Sequence, residues 1–566
     1  MLMERHFYIL EPTALGIDQL NKLSARQGWP NKEGKMETRR KMIIFISIPW
    51  AIIMSLVLTS LFIPSDAFCQ KTKYGGALRV GLSYDPISLS CMMVGGDPGV
   101  DNFTSNLYDG ILEMNFKDSS LRPGLGTEWK QIDDLTWEVK LRKGVPFHKG
   151  YGEMTSEDVA FTMNYIVEKN MRSKFAVTAV KNVEIIDPYT VRYRLNQPFA
   201  PFTITGLTPT AAGMVVSKKA FLEIGPEKFL RNPIGTGPFE FVRWISGSEV
   251  EVKKFNQYYR KGLPYLDRVI FKIIPDDFIR QNMLINGELD LIEAPDWKHL
   301  SQIEKDPKMS IYRTPGHNWD YIAFNMTGNQ YMHPALKDKR VRQAIAYAID
   351  REEIIKAIYY GYATPTDQPI APSIMGSRPG PLKYAYKANP EKAKELLKEA
   401  GYPNGFEITC ITSSKVWLRR ETELAAAQLA RIGIRVKIDA LDMATFDTRR
   451  VKEKRFEMLL EDISNPSADP DSTMYWFHHT GTSAYFGPPD KPFNAELEAL
   501  LDRGRAVTDP KKRLPIYHSA VDQILDDAVY IYICHVDWIT AAHKYVKNYL
   551  QPPTSKKMFG EVWLEK

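Results

Sequence analysis

The alternation of apolar and polar positions in the first half of the chain predicts short β-strands. Residues 75–82 form a first predicted strand that ends at the turn 84–86. Residues 137–141 place apolar side chains at every second position, which is the period of a half-buried strand. Two more alternating runs flank Asp187 and Pro188, and this arrangement predicts a β-hairpin over residues 183–195.

Helical periodicity with capping residues predicts helices between these strands. Thr155 can cap a helix, and Asp158 stands at the reciprocal position of a capping box. Asn389 is the predicted cap of a second helix, which ends at Gly401. Both helices carry apolar residues on one face, so we expect each to pack that face against a core.

From about residue 335 onwards, longer helices alternate with strands. The helix predicted near 421–432 continues through Gly433 into an alternating strand at 434–438. Helix, glycine and strand at this spacing are typical of an α/β architecture. A chain of 566 residues is also too long for one hydrophobic core, so we expect two or more lobes. The dense cluster of turn residues at 232–238 predicts a crossing between domains.

The region before residue 70 has the features of an export signal. Residues 42–63 are uncharged and apolar, and they directly follow three cations at 39–41. Because a small-residue Ser-x-Ala site follows, residues 36–69 are predicted to be a signal peptide cleaved after Ala67 or Cys69. An uncleaved N-terminal anchor through the apolar stretch is the alternative.

The residues before that signal show no usable pattern. We interpret residues 1–35 as a non-native extension, with translation starting at Met36. No functional prediction is attached to them.

Composition and charge narrow the class of protein. With 44% hydrophobic and 25% charged residues, the chain has the composition of a soluble globular protein. The net charge of +6 is small for this length, and the absence of a long basic run argues against a nucleic-acid partner. The sequence contains no Gly-x-Ser-x-Gly, His-Glu-x-x-His, P-loop lysine or Cys-x-x-Cys motif, so neither a catalytic class nor a metal or cofactor is predicted.

Three cysteines remain after the predicted cleavage site. Cys91, Cys410 and Cys534 are widely spaced, and an oxidising compartment would allow one disulfide among them. Their spacing does not determine which pair would form.

A series of short motifs follows in order along the chain between about residues 74 and 535. They are 75–81 (Gly-Gly-Ala-Leu-Arg-Val-Gly) with 84–86 (Tyr-Asp-Pro), 122–161 with its Leu-Thr-Trp and Thr-Ser-Glu-Asp-Val segments, 235–239 (Gly-Thr-Gly-Pro-Phe), 341–345 (Val-Arg-Gln-Ala-Ile), 391–393 (Glu-Lys-Ala) with Gly401-Tyr402, and 469–471 (Asp-Pro-Asp). In this order they resemble family 5 extracellular solute-binding proteins, the dipeptide, oligopeptide and nickel-complex receptors of ABC importers. The segment 122–161 resembles the family signature most closely.

This resemblance implies an α/β, two-lobed periplasmic-binding-protein fold of type II, with an extra domain and a ligand cleft between the lobes. Two strands that cross between the lobes, near 323–325 and 531–533, would act as the hinge. The implied boundaries are 70–105, 233–325 and 536–566 for lobe one, 106–232 for the extra domain, and 326–535 for lobe two.

The function that the resemblance implies is that of a periplasmic receptor without enzymatic activity. Such a receptor would deliver a peptide-like or other small polar solute to the permease subunits of an ABC transporter, and we expect it to act as a monomer. Two alternatives stay open. The same lobes could present a ligand to a membrane sensor, and a secreted hydrolase is the third reading.

The start of the predicted helix near 421–432 carries three candidate ligand-binding residues. A guanidinium of Arg419 or Arg420 could hold a ligand carboxylate, and the helix N-terminus would favour the negative charge. Dipeptide-binding members of the family carry an arginine in this stretch. Trp417 is predicted to line the same pocket. The alternative for the two arginines is a solvated position at the helix start.

Three further residues complete the predicted binding set. Peptide-binding members place an aspartate three residues before the Asp-Pro-Asp motif, where it meets the ligand's ammonium group. Pro466 occupies that position here, so Asp462 is the predicted substitute and a free peptide is less favoured as the ligand. Trp319 is predicted at the cleft floor, and Tyr84, in the turn after the first strand, is predicted to contact the ligand.

Two other polar groups are given structural interpretations. Asp469 and Asp471 are predicted to form a turn without touching a ligand. The neighbouring His478 and His479 are predicted to lie on a surface loop, because adjacent side chains rarely point in the same direction toward a metal.

Overall fold

The computed structural model describes residues 73–94, 98–378, 382–464, 467–482 and 485–565. The predicted extension at 1–35, the signal at 36–69 and the alternative anchor at 42–63 therefore lie outside the described residues. Within the part of the chain that is described, no helix combines the length and the apolar character that crossing a bilayer requires.

The β-strands are numbered in chain order. They are β1 Ala77–Leu82, β2 Leu112–Met114, β3 Leu121–Pro123, β4 Gly126–Asp133, β5 Thr136–Leu141, β6 Val180–Asp187, β7 Thr190–Leu195, β8 Phe239–Ile245, β9 Glu249–Lys254, β10 Arg268–Ile273, β11 Leu291–Glu293, β12 Met309–Pro315, β13 Asn318–Phe324, β14 Ala363–Pro365, β15 Glu407–Ser413, β16 Arg435–Leu441, β17 Met458–Ser464, β18 Tyr530–His543, β19 Val546–Lys547 and β20 Trp563–Leu564.

The α-helices are numbered in the same way. They are α1 Pro98–Leu107, α2 Ser156–Glu168, α3 Phe202–Thr205, α4 Lys218–Ile224, α5 Pro226–Phe229, α6 Asp277–Ile285, α7 Leu300–Lys305, α8 Lys339–Ala348, α9 Arg351–Ile358, α10 Pro390–Glu399, α11 Val416–Ala430, α12 Met443–Asp447, α13 Asp471–His478, α14 Ala495–Ala506 and α15 Pro510–Asp527. A 3₁₀ segment at Arg172–Val177 contributes to the cavity described below, and a π-helical turn spans Thr448–Lys452.

Twelve strands form one continuous sheet. Its order is β16-β15-β17-β13-β18-β11-β1-β10-β9-β8, and both β12 and β14 pair with β18. Strand β1 is parallel to β10 and β11, and β15 is parallel to β16 and β17. We call β1 and β8–β12 the first half of the sheet and β13–β17 the second half.

Strand β18 belongs to both halves. Residues 530–534 pair with β13, whereas residues 537–543 pair with β12. The chain also crosses between the halves at Gly316, where an added Cβ would lie 2.6 Å from the backbone oxygen of Val536. The two crossings therefore lie side by side at Gly316 and Val536. They stand a few residues away from 323–325 and 531–533, where the sequence placed the hinge strands.

Each half of the sheet has its own hydrophobic core. The first half shares a core with the segment 106–232, whose four-stranded sheet has the order β4-β5-β7-β6. The second half packs its helices around β13, β15 and β17 in a separate core, which we call the second core. The segment 106–232 also touches the second half, since the amide of Ala200 donates to the Arg505 oxygen at 2.7 Å.

Several local predictions are confirmed. The capping box of Thr155 and Asp158 is present at the start of α2, and Asn389 caps α10 by accepting from the Lys392 amide. Gly401 ends that helix with a φ of +88°, a conformation that glycine adopts without strain.

Cys91, Cys410 and Cys534 are all buried as free thiols, so the disulfide that the sequence allowed does not form among them.

Candidate ligand-binding site

The candidate site lies around β13, which pairs with β17 and begins directly after the crossing at Gly316. In the antiparallel pair β13–β17, Trp319 is opposite Ile463 and Asp320 is opposite Asp462. Because neighbouring residues of a strand point to opposite faces of a sheet, Trp319 and Asp320 face different regions. One region is an apolar cavity, and the other is a group of charged side chains.

An aromatic cavity of about 1000 Å³, counting the open space at its mouth, lies on the Trp319 side. One wall comes from the segment 106–232 and the other from the second half of the sheet and from α13. Its lining residues are Phe175, Ala176, Thr178, Phe199, Thr205, Trp319, Ile463, Ser467, Asp471, Ser472, Trp476, Phe477 and Arg505. A concave, mostly apolar lining with a few polar groups is typical of small-molecule sites.

Trp319 is a fixed part of this cavity. Its side chain is only 1% exposed, and its ring packs edge-on against Phe477 with the centroids 5.6 Å apart. The indole Nε1 is buried and has no hydrogen-bond acceptor among the described residues. Since a buried indole N–H usually has a partner, this unsatisfied donor is a candidate for a hydrogen bond to a ligand that enters the cavity.

Trp476 and Phe175 also line the cavity, but unlike Trp319 they are exposed. Trp476 is 41% exposed and Phe175 is 36% exposed, although both are large aromatic side chains that line the cavity. Large apolar side chains that stay exposed inside a concave surface mark a place where a ligand can bury them.

The charged part of the cavity wall is neutralised internally. Arg505 binds the carboxylate of Asp471 through two hydrogen bonds of 2.9 and 2.8 Å. The same guanidinium stacks on the ring of Tyr475 at 3.2 Å from its centroid. Burial raises the pKa of Asp471, while the hydrogen bond from Arg505 opposes that rise. This pair fixes the start of α13, which carries Trp476.

The charged region on the other side contains Lys415 and Asp462. The ammonium of Lys415 lies 2.7 and 3.0 Å from the two carboxylate oxygens of Asp462, and about 30% of each side chain is exposed. The same ammonium lies 5.5 Å from the ring centroid of Trp417, which is half-buried against the second core. Sequence reasoning selected Asp462 and Trp417 but missed Lys415. Its position directly before α11 is the feature that could have identified it.

Tyr84 approaches this charged region from the first half. It is 54% exposed, and partial burial raises the pKa of its phenol. The charges of Glu293 in the first half and of Lys415 and Asp462 in the second half also act on that phenol. Groups from both halves therefore converge at Tyr84.

The two predicted arginines lie at the solvent side of α11. Both side chains are exposed, and the Nε atom of Arg419 lies 3.6 Å from a carboxylate oxygen of Glu423 one turn later. The structure thus brings Tyr84, Trp417 and Asp462 into one region and Trp319 into the adjacent cavity, while the side chains of Arg419 and Arg420 are exposed at the start of α11.

The prediction of a surface loop at the two histidines is wrong for His478. This residue ends α13 and is buried, and its Nε2 atom lies 3.0 Å from the hydroxyl of Tyr532. Burial lowers the pKa of His478 to about 3, so the ring is neutral. Asp469 and Asp471 do form the predicted turn, and both also make ion pairs.

Comparison with known proteins places these features in a family. The family model "Bacterial extracellular solute-binding proteins, family 5 Middle" matches residues 120–485. The dipeptide-binding protein of Escherichia coli is 28% identical over 495 residues, covering 81% of this chain and 89% of that protein. The glutathione-binding protein GsiB of Pectobacterium atrosepticum is 30% identical over 466 residues, covering 79% and 87%.

A solved structure gives the same result for the fold. The periplasmic binding protein DppA of Helicobacter pylori, in complex with the peptide STSA, superposes with a TM-score of 0.70 at 28% identity. The match covers 87% of this chain and 99% of that chain. The predicted two-lobed type II fold is thereby confirmed. Because the family model spans well over half of its length, the chain belongs to the family 5 bacterial extracellular solute-binding proteins.

Proposed function

We propose that the protein is a periplasmic receptor that captures a small peptide-like solute between its halves and delivers it to the permease subunits of an ABC transporter. The observation that carries the proposal is the cavity built from two separate parts of the fold. Trp319 lies in its wall, and the buried Nε1 of this residue has no acceptor among the described residues. The named ligands of the relatives, a dipeptide, glutathione and the peptide STSA, support a ligand of this class. Export through residues 36–69 and a monomeric state are parts of the same proposal.

The lining of the cavity favours an apolar group on the ligand. Its aromatic walls can bury a side chain, and the carboxylate of Asp471 is already bound by Arg505. A backbone carbonyl of a peptide would then accept from Trp319.

The charged region supplies the recognition of the ligand's termini. An ion pair that is partly exposed contributes little to stability, so a zwitterionic ligand can separate Lys415 from Asp462 at small cost. Asp462 would then hold the ligand's ammonium, and a cation at the start of α11 would hold its carboxylate. Lys415, Arg419 and Arg420 are the three cations in that place, and Tyr84 and Trp417 would cover the backbone between the termini.

Calorimetric titration with a hydrophobic dipeptide, its N-acetylated form and its C-terminal amide tests these roles. We expect Asp462→Asn to weaken binding of the free dipeptide by about 1.5–3 kcal/mol, the range for a hydrogen bond to a charged group. The same substitution should leave the affinity for the N-acetylated form unchanged, because that ligand has no ammonium.

A matched set of variants distinguishes which of the three cations binds the ligand's carboxylate. Lys415→Met should weaken binding of the free dipeptide and not of its C-terminal amide, whereas Arg419→Ala and Arg420→Ala should have smaller effects because both side chains point to solvent. The reverse order would assign the carboxylate to an arginine. Unchanged affinity in all four variants would contradict the proposed role of this region.

A further inference from the structure

A group of acidic side chains is buried beneath the charged region. Asp320 lies on β13, Glu421 on α11 and Cys534 on β18, and all three are 0% exposed. One potential ligand atom from each residue lies within 4.8 Å of the other two. The Sγ atom of Cys534 is 3.8 Å from Oδ2 of Asp320. We call these three residues the Asp320 cluster.

The carboxyl groups of Asp320 and Glu421 hydrogen-bond each other, yet two oxygen atoms of the cluster lack a partner among the described residues. The hydroxyl of Tyr359 contacts a carboxylate oxygen of Asp320 and lies 2.9 Å from Oε2 of Glu421. A phenol has one proton, so it can donate to only one of the two carboxylates. Oδ1 of Asp320 and Oε1 of Glu421 are buried and have no donor among the described residues.

Two cations that interact electrostatically with the Asp320 cluster already have other partners. Arg351, whose charge acts on the Cys534 thiol, donates to three backbone oxygens and pairs with Asp367 at 3.0 Å. Lys415, whose charge acts on Asp320, is bound to Asp462. Both cations therefore already have carboxylate partners outside the cluster.

We propose that Asp320, Glu421 and Cys534 bind one divalent transition-metal ion of the zinc class. A thiolate with two carboxylates is a donor set for Zn²⁺ or Co²⁺, whereas Ca²⁺ and Mg²⁺ prefer oxygen ligands alone. The S–O distance of 3.8 Å is compatible with tetrahedral ligands that lie about 2.3 and 2.1 Å from the ion. Binding would release the thiol proton and the carboxyl protons, and the hydroxyl of Tyr359 is placed to complete the coordination.

The position of the site gives it a structural role in the second half. The ion would connect β13, β18 and α11, three elements that meet directly under the charged region of the cleft. Because the site is enclosed, we expect loading during folding or when the halves separate. The metal is independent of the proposed solute, so either proposal can fail without the other.

Metal analysis of the purified full chain, expressed with zinc and then dialysed, tests this proposal. We expect about one equivalent of zinc in the wild type and in Cys410→Ser, which removes a different buried thiol of the same half. Cys534→Ser and Glu421→Gln should each lose the metal. The wild type refolded with Co²⁺ should show a thiolate-to-cobalt charge-transfer band and a higher Tm than the metal-free protein.

Two results would overturn the proposal. Zinc absent from the wild type after refolding with an excess of the ion would mean that shared protons alone neutralise the cluster. Equal zinc content in the wild type, Cys534→Ser and Glu421→Gln would place the ion elsewhere. If both variants fail to fold, the cobalt spectrum of the wild type decides, and absence of the thiolate band counts against the site.

Discussion

Replacing Asp469 by alanine is expected to lower the free energy of unfolding by about 3–5 kcal/mol, the usual cost of removing one partner from a buried ion pair. The carboxylate of Asp469 is 0% exposed and accepts two hydrogen bonds from Arg513, at 2.5 and 2.7 Å. Arg513 itself is 4% exposed, so the substitution would leave a buried guanidinium without its counter-charge. Chemical denaturation followed by circular dichroism measures the loss.

A matched control uses an ion pair at the surface. Glu391 pairs with Lys394 at 2.9 Å on the exposed face of α10, and Glu391→Ala should leave the denaturation midpoint unchanged within error. If Asp469→Ala has no larger effect than this control, the ion pair with Arg513 does not anchor the start of α13 to α15.

Trp319→Ala is expected to cause two losses at once. The free energy of unfolding should fall by about 3–5 kcal/mol, the range for deleting a buried aromatic side chain, because the ring fills the second core beside Phe477. Affinity for the ligand should fall as well, since the cavity loses an aromatic wall and the indole N–H. Denaturation and calorimetric titration of the same protein measure the two losses separately.

Trp476→Ala separates stability from binding in this cavity. Trp476 lines the same cavity but is 41% exposed, so its removal should cost much less stability. Its effect on ligand affinity should still be clear, because a bound ligand would bury the ring. A variant that binds every ligand as well as the wild type would show that the aromatic cavity is not the binding site.

The local elements were predictable because their signals are local. The capping box at Thr155 and Asp158 and the cap at Asn389 each depend on residues within one helical turn. The helix after Lys415 and the strand after Gly433 follow from periodicity in the same way. The fold class came from the ordered motifs, and the solved relative confirms it.

The site was predictable only where one residue carried an unusual signal. Trp319 was selected because it precedes the crossing between the lobes, and it does lie in the cavity wall. Phe175, Phe199 and Trp476 were missed because long-range packing brings together three segments that are far apart in the sequence. No spacing within one segment records such a contact.

The crossing between the halves lies a few residues away from the predicted hinge for a related reason. Strand β18, Tyr530–His543, is continuous through the boundary. No turn or change of periodicity marks the point at which it changes partners from β13 to β12. The close approach of Gly316 to the Val536 oxygen marks that point only in the structure.

Small-angle X-ray scattering with and without a saturating ligand tests the central claim most directly. A receptor that closes its two halves around a solute should show a smaller radius of gyration with the peptide that binds in the titrations, and a higher Tm. Trp476→Ala at the same peptide concentration serves as the weakly binding control. A peptide that binds the wild type with micromolar affinity and leaves the radius of gyration unchanged would contradict capture by closure of the cleft.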